Sequence, residues 1–92
     1  MKQFVVVSYD ITDDRRRLKV MKTMRNFGTH VQYSVFECRL NAKELEELRG
    51  RLKKLIGNQD SVRLYFISAD DVSRIEVVGR GEVTPEAMFY LH

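Results

Sequence analysis

The chain has 92 residues, with 16 Lys and Arg against 13 Asp and Glu and a formal net charge of +3, which is the length of one domain. Hydrophobic residues at 43%, charged residues at 32% and a single proline exclude low-complexity disorder. One cysteine excludes an intramolecular disulfide framework and fits a reducing compartment. No apolar run approaches the roughly 18–20 residues that span a bilayer. The run Phe4 to Val7 is interrupted by Ser8 and Asp10, too early for a secretory leader. The expectation is a cytoplasmic protein without membrane contact.

Phe4 to Ile11 is a β-branched and aromatic run that predicts a central strand covered on both faces. Alternation places Asp10 on the face of Phe4, Val6 and Ser8, and Tyr9 on the opposite one. Thr12, Asp13 and Asp14 are N-cap candidates for a helix that runs to about Phe27. Leu18, Val20, Met21, Met24 and Phe27 form its apolar stripe, and Gly28 follows as a left-handed cap.

Val31 to Leu40 reads as one strand, with Phe36, Cys38 and Leu40 on a shared face. Asn41 and Glu44 form a capping pair for a second helix. Leu45, Leu48, Leu52, Leu55 and Ile56 make its stripe, and Gly57 ends it. Ser61 to Ser68 is a further strand flanked by turns, one of them at Asp70 and Asp71. Ile75 to Val78 is a short strand broken by Gly79-Arg80-Gly81, and Ala87 to Leu91 is a possible last one. Helices on one face of a mostly antiparallel sheet give an α+β, ferredoxin-like βαββαβ sandwich. The expected division is a domain over residues 1–78 and a C-terminal tail over 79–92. That tail has little to pack against in so small a sheet and is expected to pair with a second subunit.

The charge is unevenly placed. Thr12 to His30 holds six cations and two anions, net +4, whereas Asp60 to His92 holds three cations and six anions, net −3. A clustered basic segment suits a polyanion such as nucleic acid. Arg15, Arg16, Arg17 and Lys19 supply phosphate donors at a helix start. No Cys/His metal cluster, Ser-His-Asp set or glycine-rich phosphate loop is present; Cys38 and Phe36 read as core, and His30 and His92 as surface residues.

Asp10 is the informative residue. A carboxylate on an apolar strand is costly unless solvated, paired or bound to metal. Beside a cationic helix start it is a minimal kit for Mg²⁺-assisted phosphodiester hydrolysis. One Asp is a poor Mg²⁺ site, so this chemistry needs two copies across a two-fold axis.

Three motifs then coincide in order and spacing: Tyr9-Asp10-Ile11 with Asp13-Asp14 and the Arg-rich helix start; Gly28 followed by Val31 to Cys38; and Asp60 to Tyr65. Together they resemble the CRISPR-associated protein two family over nearly all of residues 4–78. The resemblance implies a homodimer with exchanged C-terminal strands, and Asp10 from both subunits as catalytic and metal-binding group in a shared cleft with Mg²⁺. It implies an endonuclease for single-stranded RNA or duplex DNA that also serves as the dimeric scaffold of the CRISPR-associated integrase during spacer acquisition. Tyr9, Arg17 and Phe36 are supporting positions, and Lys19 stands where some relatives have Arg. The alternative is a nucleic-acid-binding scaffold with no nuclease activity of its own.

Overall fold

The computed structural model describes residues 1–88. Its elements are β1 (Gln3–Asp10), α1 (Asp14–Met24), β2 (Gly28–Gln32), β3 (Val35–Leu40), α2 (Ala42–Leu55), β4 (Ser61–Ile67), and two single-turn helices, α3 (Ala69–Val72) and α4 (Pro85–Met88). The four strands form one sheet in the order β2-β3-β1-β4, and every neighbouring pair is antiparallel. This is the expected ferredoxin-like βαββαβ arrangement. No helix among the described residues is long and apolar enough to cross a membrane.

The two faces of the sheet differ. Val5, Val7, Tyr9 and Ile11 point into the main core with Phe36, Cys38 and Leu40 of β3, Val20 and Met24 of α1, and Leu48 and Leu52 of α2. Both long helices therefore cover the same face. Each begins at a cap that the sequence encodes: the Asp13 carboxylate accepts from the Arg16 N–H at 2.9 Å, and Asn41 and Glu44 form a reciprocal capping box. The opposite face carries a smaller cluster of Phe4, Val72 and Ala87, with Val6, Ile67, Ile75 and Val83 packed against it.

Several expectations are corrected. The run Val31 to Leu40 is not one strand. Tyr33 and Ser34 form a turn, and β2 starts three residues earlier, at Gly28. The pairing of β2 with β3 is irregular between His30 and Gln32, so a bulge absorbs the residue that unbroken alternation would have placed in register. This hairpin, and not Ile75 to Val78, supplies the fourth strand; Ile75 to Val78 pairs with no strand among the described residues. Helix α1 stops at Met24. Gly28 is not a left-handed cap, since only Gly79 and Gly81 have positive φ among the described residues. It is required for a different reason: an added Cβ would lie 2.5 Å from both Cys38 Sγ and the Glu37 carbonyl oxygen.

Asp70 and Asp71 belong to α3, which Ser68 caps by accepting from the Asp71 N–H at 3.3 Å. Ala87 and Met88 are helical where a last strand was expected to Leu91, whose remainder lies outside the described residues. The segment after Gly79 also finds more to pack against than expected. Thr84 and Ala87 are buried; the Thr84 hydroxyl donates to Glu37 Oε1 at 2.9 Å, and Thr29 donates to the Glu86 carboxylate at 2.6 Å.

Two measurements check this packing. Gly28→Ala must force β2 away from β3 and should cost about 1–3 kcal/mol, read as a lower urea midpoint with an unchanged m-value. Cys38 is buried, and burial first, then the nearby Glu86 and Glu37 carboxylates, push its thiol up to about 12. At pH 8 it should resist thiol reagents in the folded protein and react once denaturant is added.

Candidate active site

Strand β1 ends in a short stretch whose direction is over-determined. Tyr9 and Ile11 are each 4% exposed and anchored in the core on the helix face. The Tyr9 N–H donates to the Ser34 carbonyl at 3.1 Å, and Arg17 Nη1 donates to the Ile11 carbonyl at 3.0 Å. Between these two pinned residues, Asp10 can only project to the opposite face, as the alternation predicts. It is exposed, and among the described residues its carboxylate has no ion pair or side-chain hydrogen bond. Its cross-strand partner is Ser61, and Arg63 lies opposite Ser8. The end of the sheet away from the Phe4–Val72–Ala87 cluster thus presents Ser8, Asp10, Ser61 and Arg63 on one face. Period-two alternation in β4 could have placed Ser61 and Arg63 there, but it required the β1–β4 register.

The basic residues separate into two groups. Arg15 and Lys19 are exposed on α1. Arg16 and Arg17 are drawn into the fold. Arg16 Nε donates to Asp60 Oδ2 at 2.9 Å, and the Asp60 side chain is 0% exposed. The Gly57 N–H donates to the same oxygen at 2.7 Å. An added Cβ at Gly57 would stand 3.2 Å from Arg16 Cζ, so the bare backbone of Gly57 lets the guanidinium lie against it. This clasp ties the start of α1 to the loop between α2 and β4. Arg16, by its hydrogen bond, and then the Gly57 N–H hold the Asp60 carboxyl below the usual carboxylate range. Arg17 pairs with Asp14 while holding the Ile11 carbonyl, so it orients the backbone that aims Asp10.

Tyr9 and Phe36 lie on the helix side of the sheet, with ring centres 6.3 Å apart, and Phe36 is 0% exposed. Burial raises the Tyr9 phenol above its ordinary value, against the opposing pull of Arg17. His30 is exposed, as expected of a surface residue, and its ring also stacks on Phe36 at 4.4 Å between centres. The exposed Tyr33 in the β2–β3 turn also escaped sequence reasoning, because no Gly, Pro or Asn marks that turn.

Among the described residues, no group of three or more His, Cys, Asp or Glu side chains converges to hold a metal ion. A Mg²⁺ ion typically takes one or two carboxylates with several waters. Asp10 alone supplies the lower of these two numbers, and a pair of Asp10 side chains would supply the upper.

Comparison with known proteins is consistent across sequence and structure. Residues 1–75 match the family model described as CRISPR associated protein Cas2. The chain is 44% identical over 92 residues to a CRISPR-associated endoribonuclease Cas2 of Chloroflexus aurantiacus, covering 99% of each chain. It is 41% identical over 81 residues to a CRISPR-associated endonuclease Cas2 of Thermus thermophilus, covering 87% of this chain and 86% of that one. Among solved structures, a hypothetical protein from Thermus thermophilus superposes with a TM-score of 0.80 at 39% identity, over 89% of this chain and 96% of that one. Cas2 of Streptococcus pyogenes gives 0.74 at 32% identity, over 83% and 99%.

The Asp60 clasp has a pH signature. A carboxyl whose folded pKa lies below the unfolded value of about 3.9 contributes stability in full above that value and loses it as pH falls through the folded pKa. Unfolding midpoints of wild type and Asp60→Asn should therefore differ at pH 7 and converge as the pH drops below about 4.

Proposed function

We propose, for a chain that belongs to the CRISPR-associated Cas2 family, that it is an endonuclease whose working carboxylate is Asp10, acting on the phosphodiester bonds of RNA or DNA. The observation that carries this reading is a solvent-facing carboxylate with no partner among the described residues, held between two buried neighbours at the end of a central strand. An acid in that position is neither a cap nor half of an ion pair. Its rigid backbone is what a ligand site requires and a solvated surface residue does not.

The reading needs two copies of the chain. Face-to-face pairing of two sheets around the Ser8–Asp10–Arg63 patch would bring Asp10 together with Asp10 of the partner subunit and complete a Mg²⁺ site. Such an ion supplies polarisation of a phosphate oxygen and a bound water of lowered pKa. The chain's own residues do the rest. Arg17 keeps Asp10 aimed by holding the Ile11 carbonyl. Arg15 and Lys19, exposed on the following helix, meet the phosphates flanking the scissile bond. Arg63 meets negative charge on the Asp10 face. The dimer bridges copies of the CRISPR-associated integrase during spacer acquisition. The basic surface around α1 also supports a reading in which the dimer holds duplex DNA for that partner without cutting it.

One assay separates the two. End-labelled single-stranded RNA and duplex DNA are incubated with wild type or Asp10→Asn, in Mg²⁺ or EDTA. Cleavage should require both Mg²⁺ and Asp10, with a loss in Asp10→Asn of more than about a hundredfold and unchanged binding. Binding without cleavage by either protein leaves the scaffold reading.

A further inference from the structure

A cleft of about 350 Å³ opens between α1 and the β2–β3 turn, on the helix side of the same strand end. Its walls are Tyr9, Leu18, Met21, His30 and Tyr33, with the Arg17–Asp14 ion pair at its rim. That volume lies in the range of small-ligand clefts. Leu18 is 47% and Tyr33 81% exposed. Single exposed apolar side chains are ordinary, but these two flank one opening whose floor is the buried Tyr9 ring. We propose that this cleft receives an unpaired nucleobase of a single-stranded nucleic acid, with Tyr33 as its stacking platform; the proposal rests on the nucleic-acid reading above and specifies the form of the substrate.

Three features favour a base over an apolar side chain from a protein. First, the cation at the cleft is preset. The Arg17 guanidinium is fixed by the Ile11 carbonyl at 3.0 Å and by Asp14, so little rotamer freedom is lost when its plane meets a base or a phosphate. Second, His30 offers a fixed polar edge. Its Nε2 lies 2.9 Å from the Tyr33 carbonyl. A carbonyl only accepts, so Nε2 donates in this contact, which fixes the orientation of the ring. Stacking on Phe36 with an interplanar angle of 0° prevents the ring from turning away. Third, Arg15 and Lys19 are exposed on the same helix as Leu18 and Arg17 and add positive charge there for the phosphates of a strand. A nucleotide supplies aromatic surface and negative charge together, whereas an apolar side chain supplies only the first.

The same geometry discriminates against duplexes. A paired base is already stacked and cannot enter a side cleft without being extruded. The cleft and Asp10 lie on opposite faces of β1, so a strand engaging both must turn around the strand end. That path is open to a flexible single strand and closed to a stiff duplex.

The test uses the full chain in an Asp10→Asn background, so that binding is read without cleavage. Affinity is measured for a short single-stranded RNA and for the same sugar–phosphate length made abasic. Base-bearing RNA should bind about tenfold or more tightly than abasic RNA, the scale of one aromatic stack. Tyr33→Ala should collapse that ratio toward one without changing the abasic affinity. Tyr33→Phe, which keeps the ring, should retain it, and Leu18→Asn should reduce it from the other wall. Equal binding of the two strands by the Asp10→Asn protein, a ratio untouched by Tyr33→Ala, or no binding of either strand would overturn the proposal. Failure of the nuclease reading registers separately, as absent cleavage by protein retaining Asp10, and leaves the ratio unaffected.

Discussion

Strand β1 is hydrogen-bonded on both edges, to β3 and to β4, and the rest of the structure depends on that double pairing. A central strand cannot slip or rotate without breaking two ladders at once. Its side chains therefore have two fixed destinations. Val5, Val7 and Tyr9 go to the helix-covered core, and Phe4, Val6, Ser8 and Asp10 to the other face. A one-residue shift would send Asp10 into the apolar core, where an unpaired carboxylate is costly. The position of the acid and the integrity of the core are thus one constraint.

Around that strand end, charge is used for two purposes. Arg16 and Arg17 stand next to each other in sequence, yet one closes a loop through Asp60 and Gly57 and the other holds the backbone beside Asp10. Arg15 and Lys19 lie on the outer side of α1 and stay exposed. Helical geometry explains the division, because successive residues differ by about 100° around the axis and so face different neighbours. With Lys22 and Arg25, which are also exposed, the pair makes up the part of the basic segment open to a polyanion.

The C-terminal segment shows how a small sheet covers its second face. Val83, Ala87, Val72 and Ile75 pack with Phe4 and Val6, while the Thr84–Glu37 and Thr29–Glu86 hydrogen bonds fasten the segment to β3 and β2. The coverage stops short of Asp10. That end of the face keeps its polar character, which suits a ligand or a second copy of the sheet.

Much of this was legible in the residues themselves. Alternation in Phe4 to Ile11 assigned Asp10 and Tyr9 to opposite faces, and capping chemistry at Asp13 and Asn41 set the starts of both long helices. These signals are local, since a strand's period and a cap's hydrogen bond involve residues a few positions apart. The β2–β3 hairpin was not legible, because Tyr33-Ser34 carries no Gly, Pro, Asn or Asp and a bulge disturbs the alternation. Nor was the reason for Gly28, which lies in the close approach of Cys38 and Glu37 across a strand pair. The fates of Arg16 and His30 depended on Asp60 and Phe36. Of these contacts, Arg16 with Asp60 spans 44 positions, a distance over which sequence pattern carries no information. Only chain folding brought such residues together, and with them the clasp, the bare carboxylate and the aromatic cleft at one end of the sheet.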